Sequence, residues 1–325
     1  MNRPAIQYDD KVVPISQIDI TDDTCCLSLH IDPTDLVSAI QAVGLINPPV
    51  LIQKDNGVYG IVCGFRRIGA CRSLGWTEIH GRVLGKGLSE LDLLKLAILD
   101  NRSHRPLNVV EQAQGVQKLS PHIPAKNRLE VLSSLLGFPP NRKVYSKISA
   151  LCRLPEVMLV GLLQGALSFE AAVDLSRLAP DEAMAFFEVL GRLKLSQNKQ
   201  REIIRLTQEI AMREDHQSAR VLQCADVKAI LDSHDLNRNE KGAMLRAYLK
   251  RRRFPALVEA EEKFLKELRA LKLNENTHIT PPPYFEGDSY TLRMTFKNLE
   301  DFEKGRDILN AMAKNPALKR LLNPY

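Results

Sequence analysis

The sequence predicts a multidomain chain: a small α+β domain, then an all-α domain, then a short C-terminal module of a helix followed by a strand and a helix. Three observations lead there. Residues 12–120 alternate short apolar strands with helices, residues 121–253 carry only helical periodicity, and Pro281-Pro282-Pro283 sets off a last strand–helix pair. At 325 residues the chain is long for one domain. The boundaries are expected near residues 120 and 235, giving segments 1–120, 121–235 and 236–325.

Composition narrows the function classes. With 44% hydrophobic and 26% charged residues the chain is globular rather than disordered. It has no apolar run approaching the ~18 residues of a membrane span. The N-terminus lacks the apolar core of a signal peptide, so a cytoplasmic protein without a membrane partner is expected. Its cysteines (25, 26, 63, 71, 152 and 224) form no Cys-x-x-Cys pair and no zinc-type cluster with histidine, and read as reduced thiols. The net charge of +6 is unevenly placed: −1 over residues 1–120, +7 over 121–253 and zero over 254–325. A local excess of that size is the electrostatic footprint of a polyanion partner, or else a lysine-rich solvated helical surface.

In the first segment, Val12 to Ile20 reads as an extended entry. Asp32-Pro33-Thr34-Asp35 opens a helix that runs to Val43 and stops at Gly44. Val50 to Gln53 and Val58 to Cys63 are strands joined by the hairpin turn Asp55-Asn56-Gly57. Gly64 breaks the second strand, and helical spacing then runs through Ile68, Ala70, Cys71 and Leu74 to Gly75. A glycine at a strand-to-helix corner lets backbone approach a ligand, and the new helix's N–H groups and dipole favour an anion there. Arg66 and Arg67 stand in that first turn, where like charge opposes the dipole. The conflict resolves if a phosphate lies between them; a bland surface helix start is the competing reading.

Glu78 to Leu84 is a further strand, and Ser89 caps a helix expected to reach Leu99. After it, Asp100 and Asn101 offer hard oxygen ligands, while His104 and Arg105 offer positive charge. The set suits a metal-bridged phosphate. It equally suits a helix C-terminus attracting basic side chains, followed by an Asn108 cap.

Beyond residue 121, a helix from Asn127 carries Leu129, Leu132, Leu135 and Leu136 on one face. Gly137-Phe138-Pro139-Pro140 breaks it, and a second helix spans Asn141 to Leu154 with Val144, Ile148, Leu151 and Cys152 inward. Its opening turns present Arg142, Lys143, Ser146 and Lys147. Two short helices about a tight break, the second basic near its start, form a helix-turn-helix pattern or an ordinary αα-hairpin. Further helices run to about Met212, from Val221 to Ser233 and from Glu240 to Arg253. Lys250-Arg251-Arg252-Arg253 ends the last of these, either as a phosphate-contacting patch or as cations answering the helix dipole. Pro255 restarts a helix to Leu273, Tyr290 to Phe296 alternates as a strand, and Leu299 to Ala313 is amphipathic. So small a module favours dimerisation.

Taken together these segments resemble the ParB family of DNA-partition proteins. Gly44-Leu45-Ile46-Asn47-Pro48-Pro49-Val50 is similar to the family's Gly-x-x-Gln-Pro-[Ile/Leu]-x-Val segment. Gly64-Phe65-Arg66-Arg67-Ile68-Gly69-Ala70 resembles its Gly-Glu-Arg-Arg-x-Arg-Ala box. Asp100-Asn101 through Leu107-Asn108 to Glu111-Gln112-Ala113 resembles its Glu-Asn-x-x-Arg box and the run that follows. Leu151-Cys152-Arg153-Leu154-Pro155 and Gly165-Ala166-Leu167-Ser168 continue the likeness into the helix-turn-helix. Phe65 departs from the glutamate, Gly69 from the third arginine, Asp100 from the glutamate and His104 from the arginine. The helix-turn-helix turn is two residues longer.

The resemblance implies a ParB/sulfiredoxin-like α+β domain that binds CTP with Mg²⁺. It points to Asn47, Gly64, Phe65, Arg66, Arg67, His104 and Arg105 for the nucleotide and to Asp100 and Asn101 for the metal. Arg128, Asn141, Arg142, Lys143, Ser146 and Lys147 become the candidates for DNA contact. It implies a homodimer that closes as a clamp on double-stranded DNA, at most slow hydrolysis of CTP to CDP and phosphate, and association with nucleoid or plasmid. A partner ParA-type ATPase is not matched by the N-terminal peptide that engages it in many family members. Two other readings stand beside this one. The first is a nucleotide-independent DNA-binding regulator of a plasmid or mobile element. The second is a phosphoryl-transfer or sulfiredoxin-type enzyme using Cys63 or Cys71.

Overall fold

The structure is a computed structural model that describes residues 6–29, 32–85 and 87–322. The chain divides into two units, Met1–Gly191 and Arg192–Tyr325. The division expected near residue 120 falls inside the first unit.

The first unit begins with strands β1 (Tyr8–Pro14) and β2 (Ile18–Asp19), separated by a single 3₁₀ turn, and continues through α1 (Thr34–Val43), β3 (Val50–Gln53), β4 (Tyr59–Cys63), α2 (Phe65–Ser73), β5 (Glu78–Leu84), α3 (Glu90–His104) and α4 (Val109–Leu119). The strands form one mixed sheet in the order β1-β5-β3-β4-β2. β1 runs antiparallel to β5 and β3 antiparallel to β4, whereas β5 pairs with β3, and β4 with β2, in parallel. The period of two along each strand puts successive side chains on opposite faces. Ile61 joins Leu51, Ile79 and Val83 beneath α1 and α2, with Ile68 and Cys71. The next residue, Val62, joins Cys63 and Leu84 beneath Ala97 of α3. The central strands therefore read as continuous apolar runs because both faces are covered.

The expected helices and the strands β3 to β5 are present, with two differences. The entry expected over Val12 to Ile20 starts earlier, at Tyr8, and is broken by the 3₁₀ turn at Ile15–Gln17. The Ser89 helix does not end at Leu99 but runs a further turn, so Asp100, Asn101 and His104 are helical. Its stop is set by Pro106, which forces the preceding Arg105 into an extended conformation (φ −161, ψ 159). α4 then starts from Asn108 with a full capping box closed by Glu111.

Five helices complete the first unit: α5 (Arg128–Leu136), α6 (Arg142–Leu151), α7 (Glu156–Leu163), α8 (Phe169–Leu175) and α9 (Pro180–Gly191). Leu132 and Leu136 of α5 and Ile148 and Leu151 of α6 are buried, while Leu129, Leu135, Val144 and Cys152 are half-buried.

The second unit contains α10 (Gln197–Arg213), α11 (Ser218–Leu222), α12 (Ala225–Asp232), α13 (Arg238–Arg253), α14 (Pro255–Ala270), β6 (Thr277–Thr280), β7 (Thr291–Met294), α15 (Leu299–Lys314) and α16 (Pro316–Leu322). β6 and α16 were not expected. With them the module forms an antiparallel hairpin and a small core of Phe264, Leu271, Ile279, Met312, Ala317 and Leu321. The strand–helix pair thus finds its covering within the same unit. Among the described residues no helix is long and apolar enough to cross a membrane.

Candidate functional site

The corner between β4 and α2 is built on Gly64, whose backbone lies in the left-handed region (φ 98, ψ 27). A side chain there is disfavoured twice. L-residues avoid that conformation, and a Cβ would stand 3.0 Å from the Pro49 Cβ and 3.1 Å from the Arg67 guanidinium. α2 leaves this corner with no side chain capping its N-terminus and no acidic residue in its first turn. The contrast with its neighbours is informative. α3 and α4 both begin with complete capping boxes and carry acidic residues in their first turns. An uncapped N-terminus bearing two arginines concentrates positive potential at one bare backbone corner.

The two arginines differ. Arg67 is three-quarters buried and donates from Nη1 to the carbonyl oxygens of Asn47 (2.7 Å) and Pro48 (3.1 Å). Its Nη2 lies 3.9 Å from an Asp100 carboxylate oxygen, and Nε2 of His104 lies 4.0 Å from the other. The fold thereby gathers Asn47, Gly64, Arg67, Asp100 and His104 from three places in the sequence. Arg66 turns elsewhere: Nε donates to the Asp32 carbonyl (2.8 Å), and Nη2 is ion-paired with Asp35. Its charge is answered by a carboxylate on α1, which the sequence reading did not anticipate.

Three other expected members are differently employed. Phe65 packs its ring against the cores on both faces of the sheet, leaving its backbone as the part that faces the corner. Arg105 is committed to Glu111, with Nη1 to Oε2 at 2.7 Å and Nη2 to Oε1 at 2.6 Å. Glu111 is buried, and burial alone would raise its carboxyl. Arg105, the Asn108 N–H and the Ser28 hydroxyl outweigh that and hold it below the usual carboxylate range. Asn101 folds its amide back onto the Ala97 carbonyl (2.9 Å). Among the described residues no group of three or more His, Cys, Asp or Glu side chains is arranged to hold a metal. Asp100 therefore fits Mg²⁺ only as one carboxylate completing a shell otherwise made by phosphate oxygens and water.

The sulfiredoxin-type reading requires a reactive thiol at this corner. Cys63 and Cys71 are both buried, and burial pushes both thiols up; the Asp100 carboxylate pushes Cys63 further in the same direction. Neither has the environment of a nucleophilic cysteine.

In the segment expected to form a helix-turn-helix, Asn141 caps α6, accepting from the Lys143 N–H at 2.7 Å. Arg142, Lys143 and Ser146 are exposed beside it. Lys147 is drawn into an ion pair with Glu170 of α8 (2.5 Å). Arg128 is tucked against the carbonyls of Ser120 (2.9 Å) and Ile123 (3.1 Å), where it ties the chain entering α5. It is a structural cation rather than a projecting one. In the second unit every member of the Lys250–Arg253 run is paired: Lys250 with Glu261, Arg251 with Glu262, Arg252 with Glu214 and Arg253 with Glu209. The Asn108-x-x-Glu111 capping box was legible as a sequence signature. The partner of Arg66 was not, because Asp35 lies on a different helix.

The ParB N-terminal domain family model matches residues 30–102. A nucleoid occlusion protein of Geobacillus thermodenitrificans is 29% identical over 134 residues, covering 41% of this chain and 46% of that relative. The chain thus spans less than half the length of the curated relative it matches. Two solved structures of C-terminally truncated ParB from Caulobacter crescentus are also similar. The one complexed with CTP-γ-S has 22% identity, a TM-score of 0.27 and covers 56% of this chain and 98% of that one. The one complexed with the centromeric parS site has 20% identity, a TM-score of 0.35 and covers 58% and 96%.

Proposed function

We propose that this chain, whose residues 30–102 match the ParB N-terminal domain model, is a partition- or nucleoid-occlusion-type DNA-binding protein whose N-terminal domain binds CTP with Mg²⁺. The observation that carries the reading is the corner at Gly64. A bare left-handed glycine, an uncapped helix N-terminus and a guanidinium held by neutral carbonyls converge on one point.

Each residue then has a role. The backbone at Gly64 and Phe65 approaches the phosphates, and Arg67 supplies charge from a fixed position. Asn47 shapes the wall behind Arg67. Asp100 supplies one oxygen for the metal, while His104 borders the same carboxylate. Mg²⁺ would neutralise phosphate charge when bound. DNA is met by α6, where Arg142, Lys143 and Ser146 stand clear of intramolecular ion pairs and reach base edges or phosphates in the major groove. Exposed Leu292, Phe296, Leu299 and Phe302 of the second unit offer an apolar face for a second copy. A ligand shared across two N-terminal domains favours the closed dimer by mass action on that state.

Equilibrium binding of labelled CTP with Mg²⁺, with and without genomic DNA fragments, tests the proposal. Saturable binding that Arg67→Ala abolishes is expected. No binding up to about 1 mM, a free energy of only about −4 kcal/mol, would discard the nucleotide part. The pairing of Arg66 with Asp35 favours one rival, a DNA-binding regulator without a nucleotide switch. That rival predicts intact DNA binding in the same experiment with no CTP retained.

A further inference from the structure

Asp100 and Arg102 stand two residues apart on α3, so about 200° of rotation separates them and they serve opposite sides of the helix. Asp100, with His104 one turn on, faces Arg67. Arg102 faces α5, where its Nη1 donates to the carbonyls of Ser134 (2.5 Å) and Leu135 (2.9 Å). These are acceptors that the end of a helix leaves without intrahelical partners. Gly137 follows in the left-handed region (φ 78), and a Cβ there would lie 3.1 Å from Nε and Nη2 of Arg102. The guanidinium rests where a side chain would otherwise be.

Gly137 also opens the lengthened turn of the helix-turn-helix. At the turn's next residue Phe138 is buried and stacks on Tyr145 of α6, with ring centroids 6.3 Å apart. Arg102 thus grips the turn where it leaves α5, and the aromatic pair grips it where it enters α6. Beside Arg102 the junction is hollow: a cavity of about 470 Å³ lies between Arg102, His104, Arg105, Gln112, Leu136 and Gly137. Pro106 and Leu107 also line it, and Gln112 of α4 donates to the Leu136 carbonyl there at 3.5 Å, a neutral hold beside the charged one.

We propose that Arg102 is a positioning residue that fixes α5, and through the turn the DNA-reading helix α6, to the helix carrying Asp100 and His104. The inference rests on the reading of residues 128–151 as the DNA-binding element. It deepens that reading by naming the side chain that sets the angle of the element. α3 acts as a bar.

The test compares the full-length protein with Arg102→Gln and Arg102→Lys, measuring affinity for a selected DNA site and for random DNA. The same proteins are compared for CTP retention, thermal unfolding and amide exchange. Loss of about 10-fold in the specific-to-random ratio is expected for Arg102→Gln, equivalent to one mismatched base pair. CTP retention and random-DNA affinity stay as in the wild type, while exchange quickens from Ser134 through α6. Arg102→Lys keeps the charge but not the planar fork, and falls between the two. If Arg102→Gln proves too unstable to assay, the lysine variant decides. A wild-type specificity ratio in the variant, with the parent protein selective, overturns the positioning role. A parent protein that shows no DNA selectivity overturns the functional reading instead, and the positioning role with it.

Discussion

The Gly64 corner and the Lys250–Arg253 run are both rich in positive charge in the sequence, yet the structure treats them oppositely. At the corner, Arg67 is hydrogen-bonded to two backbone carbonyls, and its nearest carboxylate, Asp100, stands back at 3.9 Å. In the run, each cation meets a carboxylate from α10, α14 or Glu214. Arg252 holds the Glu214 carboxyl down at about 2, and Arg213 donates to the carbonyls of Arg252 and Arg253 (2.8 and 3.0 Å). One arrangement orients a cation without a carboxylate in hydrogen-bond contact, and the other consumes charge in joining helices. A count of lysines and arginines cannot separate the two; the identity of the acceptor does.

The largest effect should follow from Arg67→Ala, because it removes the one corner cation held without a carboxylate within hydrogen-bond reach. CTP affinity is expected to fall at least about 100-fold, or roughly 3 kcal/mol, as befits a charge-assisted contact to phosphate. Arg66→Ala should cost less, since its charge is already answered by Asp35. Equal losses for the two would erase the distinction drawn between carbonyl-held and carboxylate-paired arginines.

Next in size is Glu111→Gln, which breaks a buried bidentate pair and a capping box together. A loss of about 2 kcal/mol in urea unfolding is expected, less than for a fully buried pair because Arg105 is half exposed. The sign of its pH dependence is fixed by the depressed carboxyl. The stabilisation is full above the ordinary value of 4.5 and drains away as pH falls through the lower folded value. Stability curves of wild type and Glu111→Gln should therefore converge in acid; parallel curves down to pH 3 or so would contradict the ion pair.

Gly64→Ala should cost about 1–2 kcal/mol from the left-handed backbone alone, with an added loss of CTP binding as the new methyl displaces Arg67. Thermal unfolding and CTP titration on the same sample read both.

The smallest effects concern DNA. Arg142→Ala should lower the slope of log affinity against log salt by about 0.9 if it neutralises one phosphate. Arg251→Ala should leave that slope unchanged and alter stability by less than about 1 kcal/mol, as exposed ion pairs do. A slope change at Arg251 would return the basic run to the DNA interface. Lys147→Ala is expected between them, because Glu170 already claims its ammonium group.

Much of this molecule was legible locally. The Asp-Asn-Gly turn, the Ser89 and Asn108 caps and the glycine stops act within a few residues, so their chemistry is written contiguously. The strands β3, β4 and β5 and the corner at Gly64 followed from it. Local signals also erred where distance intervened. The Ser89 helix outran its apolar stripe because nothing breaks it before Pro106. The short strand β6 escaped because four residues beside prolines carry too little pattern to stand alone.

By itself, then, the sequence determined the strands and helices around the glycine corner, the change to helical periodicity beyond residue 121, and the presence of two arginines at that corner, since each depends on neighbours along the chain. Only the tertiary structure decided which cations remain available. That choice turns on partners 20 to 40 residues away, such as Asn47 for Arg67, Asp35 for Arg66 and Glu214 for Arg252. Electrostatic availability is a property of which carboxylates folding brings within hydrogen-bond reach, and no contiguous stretch of residues encodes it.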